Sequence, residues 1–275
     1  MIQGGSDNFS KLKPVGIVVT SSKESGEVLH PCMRTLEQDL SAIEKSIYEC
    51  ALAGCSSVWV CCTEDFQPII KKHVGDYIKD PVSISKASFT KHPSENTTDI
   101  PIYYYLVHPK DRLRRSGQCW DIFSTALTIY YISRKVSRWS IPSNYYVSFC
   151  NSAYDISQLR DYRNDLSRGG NIMFQMGDLT ALDDLSLGFS VSGETIKEII
   201  SSLKREKIYH KSEDLNLSSV KKFFDLESYK KIKISEYFTC YKWENYVEYI
   251  KNKNFSFNIK KQVFFNLKSK GIIND

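Results

Sequence analysis

The sequence lacks most of the signatures that announce an activity. Its 275 residues contain no Cys-x-x-Cys pair and no His or Cys set at zinc-ligand spacing; Cys50 and Cys55 stand five apart. No Asp-x-Asp occurs, the carboxylate pair that a metal-dependent sugar transfer needs around a strand end. No run of about 18 apolar residues occurs either, so a membrane span is not expected. MIQGGSDNFSKLK shows no signal-peptide pattern, and no segment repeats. The eight cysteines fall mostly inside apolar runs, as with Cys61, Cys62, Cys119 and Cys150, where they behave as small hydrophobes. These absences together lead us to expect a cytoplasmic, thiol-reducing setting. The cell would be a host cell if the Lys/Asn/Ile-rich tail reflects an AT-rich viral genome.

What is present supports a globular core. Apolar residues make up 41% and charged residues 25%, with a formal net charge of +5. So mild a positive balance suits an anionic ligand such as a nucleotide or phosphate and does not call for a nucleic-acid partner. Residues 1–13 read as a flexible N-terminal end, 14–252 as one α/β domain and 253–275 as a C-terminal appendage.

The chain is organised around the stretch from Val15 to Cys62. GIVVT and SSVWVCC are short strands rich in β-branched residues. Between them Leu40, Ile43, Ile47, Cys50, Ala51 and Gly54 recur at helical spacing. Ser41 with Glu44 forms a capping box, and Gly54 stands where a helix stops. A right-handed crossover makes the two strands parallel. Downstream, Asp65 is placed to cap a short helix that closes at Gly75, and a third strand runs Ile102 to Val107. A helix covers Gln118 to Val136, with Trp120, Phe123, Ala126, Leu127, Tyr130 and Tyr131 on one face. A fourth strand covers 144–150. NIMFQM and LSLGFSVS read as antiparallel or edge strands, Ser192 as the cap of a further helix, and a last helix begins at Trp243. The fold class is α/β, a three-layer αβα arrangement around a mostly parallel twisted sheet, with ligands expected at the carboxyl ends of the strands.

Several local strings, kept in order, resemble the nucleotidyltransferase family that joins a nucleoside triphosphate to a sugar phosphate. GIVVT, the loop with Gly26 and Leu29 to Pro31, and IEKSIYECALAGCSSVWVCC occupy the places of its first strand, glycine-rich loop, helix and second strand. SGQCWDIFSTAL sits where the family opens a helix near the base. YYVSFCNSAYDISQLRDYR and TCYKWENYVEYIKN resemble its two metal-carboxylate strands, the second leading into a Trp-x-x-Tyr helix. The resemblance implies the nucleotide-diphospho-sugar transferase fold and nucleotidyl transfer with release of pyrophosphate. It also implies Mg²⁺, and a triphosphate and a sugar phosphate as ligands; a homo-oligomer is a separate option, for which the basic stretch from His108 to Arg115 would serve as a salt-bridge patch. In the two metal positions stand Asn151 or Ser152, and Thr239, none of them a carboxylate. That favours, as the alternative, a non-catalytic descendant binding a nucleotide, glycan or protein; a glycosyltransferase on the same fold is the remaining option.

The candidate residues follow. Lys23 and Arg34 are the catalytic candidates, holding triphosphate and sugar phosphate, or are simply solvated loop charges. Thr20, Ser21, Ser22, Gly26 and His30 belong to the phosphate loop, with His30 equally readable as structural. His108, Lys110, Arg112 and Gly117, within the basic stretch that includes Arg114 and Arg115, form a second anion-binding candidate or a solvated turn. Asp155 is the displaced metal ligand or, alternatively, the N-cap of the element after it.

Overall fold

A computed structural model describes residues 13–20, 29–37, 40–87, 98–107, 118–137, 140–183, 186–205 and 221–252. Its strands, in chain order, are β1 (Val15–Val19), β2 (Thr35–Glu37), β3 (Leu40–Ser41), β4 (Val58–Cys62), β5 (Tyr77–Lys79), β6 (Asp99–Leu106), β7 (Asn144–Phe149) and β8 (Ser152–Tyr154). They continue with β9 (Asn171–Met176), β10 (Leu179–Thr180), β11 (Phe189–Ser192), β12 (Tyr229–Lys233) and β13 (Tyr237–Thr239). The α-helices are α1 (Ala42–Leu52), α2 (Gln67–Val74), α3 (Pro81–Ala87), α4 (Gln118–Val136), α5 (Arg163–Ser167), α6 (Gly193–Arg205) and α7 (Trp243–Lys251).

The main sheet runs β10-β9-β11-β7-β1-β4-β6-β5, with β12 also on β9. Its centre is parallel, β7 with β1, β1 with β4 and β4 with β6, and its flanks add antiparallel β11, β10 and β5. All five residues of β1 are buried, as a central strand covered on both faces requires. Gly16 of β1 faces α1, while α4 packs against β1 and β4. The three-layer αβα expectation is met. So are the Gln118–Val136 helix, the antiparallel pair β9 and β11, and the Ser192 cap, whose hydroxyl accepts from the Thr195 N–H at 3.0 Å.

The strand expected over Ile102 to Val107 begins earlier, at Asp99, because β5 pairs with it from Asp99 to Pro101 and draws the chain into the sheet. Asp65 does not cap α2. The N-cap position is Phe66, without a side-chain cap, and Gln67 and Pro68 open the helix. In α4 the apolar face is narrower than its sequence pattern, with Tyr131 47% exposed.

Every residue of α1 except Glu44 is buried. The sheet covers one side, and α3 with the 3-10 helix Ser157–Tyr162 packs on the other. Arg163 fixes that outer layer. Its guanidinium donates to the Ala51 carbonyl at 3.1 Å, beside the bond that carbonyl already accepts from the Gly54 N–H at 3.0 Å, and to Asp80 Oδ1 at 3.0 Å. Asp80 Oδ1 in turn accepts from the Val82 N–H at 3.0 Å, holding the start of α3. Gly54, at φ +86°, ends α1 as expected; a Cβ there would lie 2.7 Å from Arg163 Cγ.

At the other end of α1, the Ser41–Glu44 capping box is formed and extended by His73. Glu44 Oε2 accepts from the Ser41 N–H at 2.8 Å, and His73 Nε2 stands 3.0 Å from Ser41 Oγ. Burial pushes the Glu44 carboxyl up, but hydrogen bonds from His73 and Ser41 outweigh it and hold the group below its ordinary value. The hydrogen bond with Glu44 raises His73 against the effect of its own partial burial. A lowered Glu44 stabilises the fold above the ordinary value of 4.5 and loses that as pH falls through its folded value. A raised His73 stabilises below 6.5 and loses that as pH rises through its folded value. The melting-temperature difference between wild type and His73→Gln is therefore expected to be largest between pH 4.5 and 6.5 and to shrink on either side. Ser41→Ala is expected to cost about 1 kcal/mol in urea unfolding.

Candidate functional site

In an open sheet, a ligand crevice forms where consecutive connections leave to opposite sides, because the loops there diverge. From β1 the chain moves outward to β4 and β6, then returns across β1 to β7, so the strand order reverses between β1 and β7. Thr20 follows the end of β1, and Cys150 and Asn151 follow the end of β7. The Cys150 N–H donates to the Val19 carbonyl at 3.2 Å, carrying the β1–β7 pairing one residue past the end of β7. Thr20 is held back in the sheet, its N–H and Oγ1 donating to the Cys61 carbonyl at 3.2 and 2.8 Å.

Beneath this edge lies a buried charged cluster. Lys45 Nζ stands 2.9 Å from Glu49 Oε2, with both side chains fully buried. Glu49 Oε1 accepts from the hydroxyls of Tyr146 and Tyr154, each at 2.6 Å, and Oε2 accepts from Ser148 at 2.6 Å. The ammonium also lies 4.0 Å from the centre of the Tyr154 ring. Burial, and then the Glu49 carboxylate, push both tyrosine hydroxyls well above their ordinary values, so each stays a donor. Gly188 lets the sheet close over the cluster: a Cβ there would lie 2.1 Å from Glu49 Oε1.

The expected site residues fall into three groups. Ser21, Ser22, Lys23, Gly26, His108, Lys110, Arg112 and Gly117 lie outside the described residues. Thr20 and His30 stand at the carboxyl edge. His30 is buried, with Nδ1 accepting from the Cys32 N–H at 3.3 Å and its ring 4.4 Å from that of Phe66, so it caps the 3-10 helix Pro31–Met33. Arg34 and Asp155 are engaged by the protein itself. The Arg34 side chain is fully buried. It donates to the carbonyls of Cys240 and Tyr241, the latter at 2.8 Å, and lies 5.6 and 5.5 Å from the rings of Trp243 and Tyr246. Asp155 Oδ1 accepts from the Ser157 N–H at 2.8 Å, closing a local turn; the N-cap of the Ser157–Tyr162 3-10 helix is Ile156, without a side-chain cap, so the expected capping role is not met.

The two positions that the family resemblance assigns to metal carboxylates do come together. β8 and β13 pair antiparallel with Thr239 opposite Ser152. Neither position carries a carboxylate, and among the described residues no group of three or more His, Cys, Asp or Glu is placed to hold a metal ion. The residues here do not fit Mg²⁺, which favours hard anionic oxygens.

Sequence reasoning missed the Lys45–Glu49 pair. An i, i+4 Lys and Glu is the ordinary pattern of a solvated helix face, and it is β7, β8 and the Gly188 turn, all distant in sequence, that take this pair out of water. Glu49→Leu leaves the ammonium buried without its partner and is expected to cost about 3–5 kcal/mol in urea unfolding. Lys45→Met with Glu49→Leu is expected to cost less than the single change; an equal or greater loss would show that shape, not charge, sets the stability.

By sequence, the chain matches no protein-family model and no curated protein. By structure it resembles a putative glucose-1-phosphate thymidylyltransferase from Bacillus anthracis, solved in complex with a sucrose. That match has a TM-score of 0.58 and 7% identity, over 90% of this chain and 98% of the other. It also resembles a 4-diphosphocytidyl-2C-methyl-D-erythritol synthase from Anaerococcus prevotii, with a TM-score of 0.50 and 10% identity, over 87% of this chain and 95% of the other. Likeness at such identity speaks for the fold, and together with the sheet order and flanking helices it establishes that this chain has the nucleotide-diphospho-sugar transferase fold.

Proposed function

We propose that the chain binds a nucleoside triphosphate and a sugar phosphate, or the nucleotide sugar they would form, in the crevice at the carboxyl ends of β1 and β7. The observation that carries this reading is the reversal of strand order between those strands. Residues 21–28 and 108–117 link Thr20 to Leu29 and Val107 to Gln118, so both links leave the sheet at its carboxyl edge. They supply the hydroxyls of Ser21 and Ser22, the cations Lys23, Lys110 and Arg112, and Gly26 and Gly117, a composition suited to phosphate.

Binding is better supported than transfer. In transfer, a sugar-phosphate oxygen would attack the α-phosphorus and pyrophosphate would leave, with Lys23 stabilising the charge. The fold favours that second reading. Against it stand the missing metal carboxylates and the engagement of Arg34 with backbone carbonyls.

A thermal-shift screen of the purified chain against nucleoside triphosphates, sugar phosphates and nucleotide sugars tests the proposal. A ligand that binds only the folded state at 100 times its Kd adds about 2.7 kcal/mol and raises the midpoint. At least one such ligand is expected to do so, and no shift with any of them overturns the reading. Pyrophosphate release from a shifting pair of triphosphate and sugar phosphate would move the conclusion to the transferase.

A further inference from the structure

The joint between β8 and β13 is closed by neutral groups. The Cys240 N–H donates to the Asn151 carbonyl at 2.6 Å, extending the strand pairing by one residue. Ser152 Oγ donates to the Ser186 carbonyl, and Asn151 Nδ2 donates to Ser186 Oγ at 3.4 Å. On the other strand, Asn245 Nδ2 donates to Thr239 Oγ1 at 3.0 Å. Asn151 and Ser152 are buried. Amides and hydroxyls here bond to one another and to backbone, which is how a structural seam is built.

The charges around the seam are of the wrong sign for a metal. Arg34 donates to the carbonyl of Cys240, the residue after Thr239. Lys45 borders the seam from the interior, its ammonium 4.0 Å from the centre of the ring of Tyr154, which ends β8 two residues after Ser152. The buried carboxylate below, Glu49, already holds Lys45 and three hydroxyls. A divalent cation entering the seam would meet two fixed positive charges and displace backbone hydrogen bonds without gaining an anionic ligand.

We infer that the β8–β13 seam is a neutral hydrogen-bonded replacement for the cation site of this fold and binds no divalent metal, its task being to fasten the Tyr237–Lys251 segment to the end of β7. The inference stands whether or not a nucleotide binds in the crevice.

Paramagnetic broadening tests it at the seam itself. Mn²⁺ at millimolar concentration is titrated into the full-length, isotope-labelled chain without nucleotide, and the backbone amides of Asn151, Ser152 and Thr239 are followed. They are expected to keep their line widths; their selective loss at low Mn²⁺ would overturn the inference. Asn151→Asp with Thr239→Asp restores two carboxylates and is expected to lose those signals. If the folded variant keeps them, missing carboxylates are not the cause and that part of the inference fails. The half-buried Thr239→Asp alone provides the same comparison should the double variant not fold.

Discussion

The Glu49 carboxylate is the interaction on which the rest of the structure depends. A charge removed from water is tolerated only when its oxygens are bonded and its charge is matched, and here two tyrosines and a serine supply the hydrogen bonds and a lysine the opposite charge. Lys45 comes from α1, Tyr146 and Ser148 from β7, and Tyr154 from β8, while Gly188 presses against the carboxylate as the chain enters β11. Four elements must therefore reach one point together. The requirement sets the depth of α1 against β7, and so the position of the crevice mouth above it. It also keeps β8 turning back under the sheet edge, where β13 can pair with it.

That arrangement changes the character of α1. In a three-layer sandwich the outer face of a helix ordinarily meets solvent; here α3 and the Ser157–Tyr162 turn lie over it. Arg163 locks the cover by joining the end of α1 to Asp80. Arg34 does the equivalent at the carboxyl edge, holding the turn between β13 and α7 to the segment between β1 and α1. Two arginines of conventional binding chemistry thus act as interior fasteners, and the anion-binding chemistry proposed for the crevice falls to the links after β1 and before α4.

Much of this architecture was legible in the sequence because it is decided locally. The parallel strands GIVVT and VWVCC, the Ser41–Glu44 cap, the stop at Gly54 and the extent of α4 each follow from a few neighbouring residues. The misreadings came from distant partners. β6 starts early because β5 pairs with it, and Lys45 and Glu49 are buried because residues beyond 150 cover them. Arg34 looks like a loop cation until Cys240 and Tyr241 are placed beside it, 206 and 207 positions away. The order of strands, which places the crevice, was only partly readable: periodicity marks a strand but not its neighbour. The two positions that the family resemblance assigns to metal carboxylates fall opposite each other on paired strands, and their lack of carboxylates was visible from the residues alone.

The fastening of the chain's beginning to its end carries a cost in time. Besides Arg34, the Tyr246 hydroxyl donates to the Thr35 carbonyl at 2.9 Å and that of Tyr249 to the Leu36 carbonyl at 2.5 Å. At a synthesis rate of about 5–20 residues per second, the two hundred or so residues between these partners take roughly 10–40 s to emerge. During that interval the guanidinium stays hydrated and the carbonyls of β2 wait for donors still unmade. The sheet centre can form early, but contacts of such long sequence separation come last and slow the final step. The contacts that close the carboxyl edge can therefore form only after residues 240–249 have been made, long after the strands they fasten.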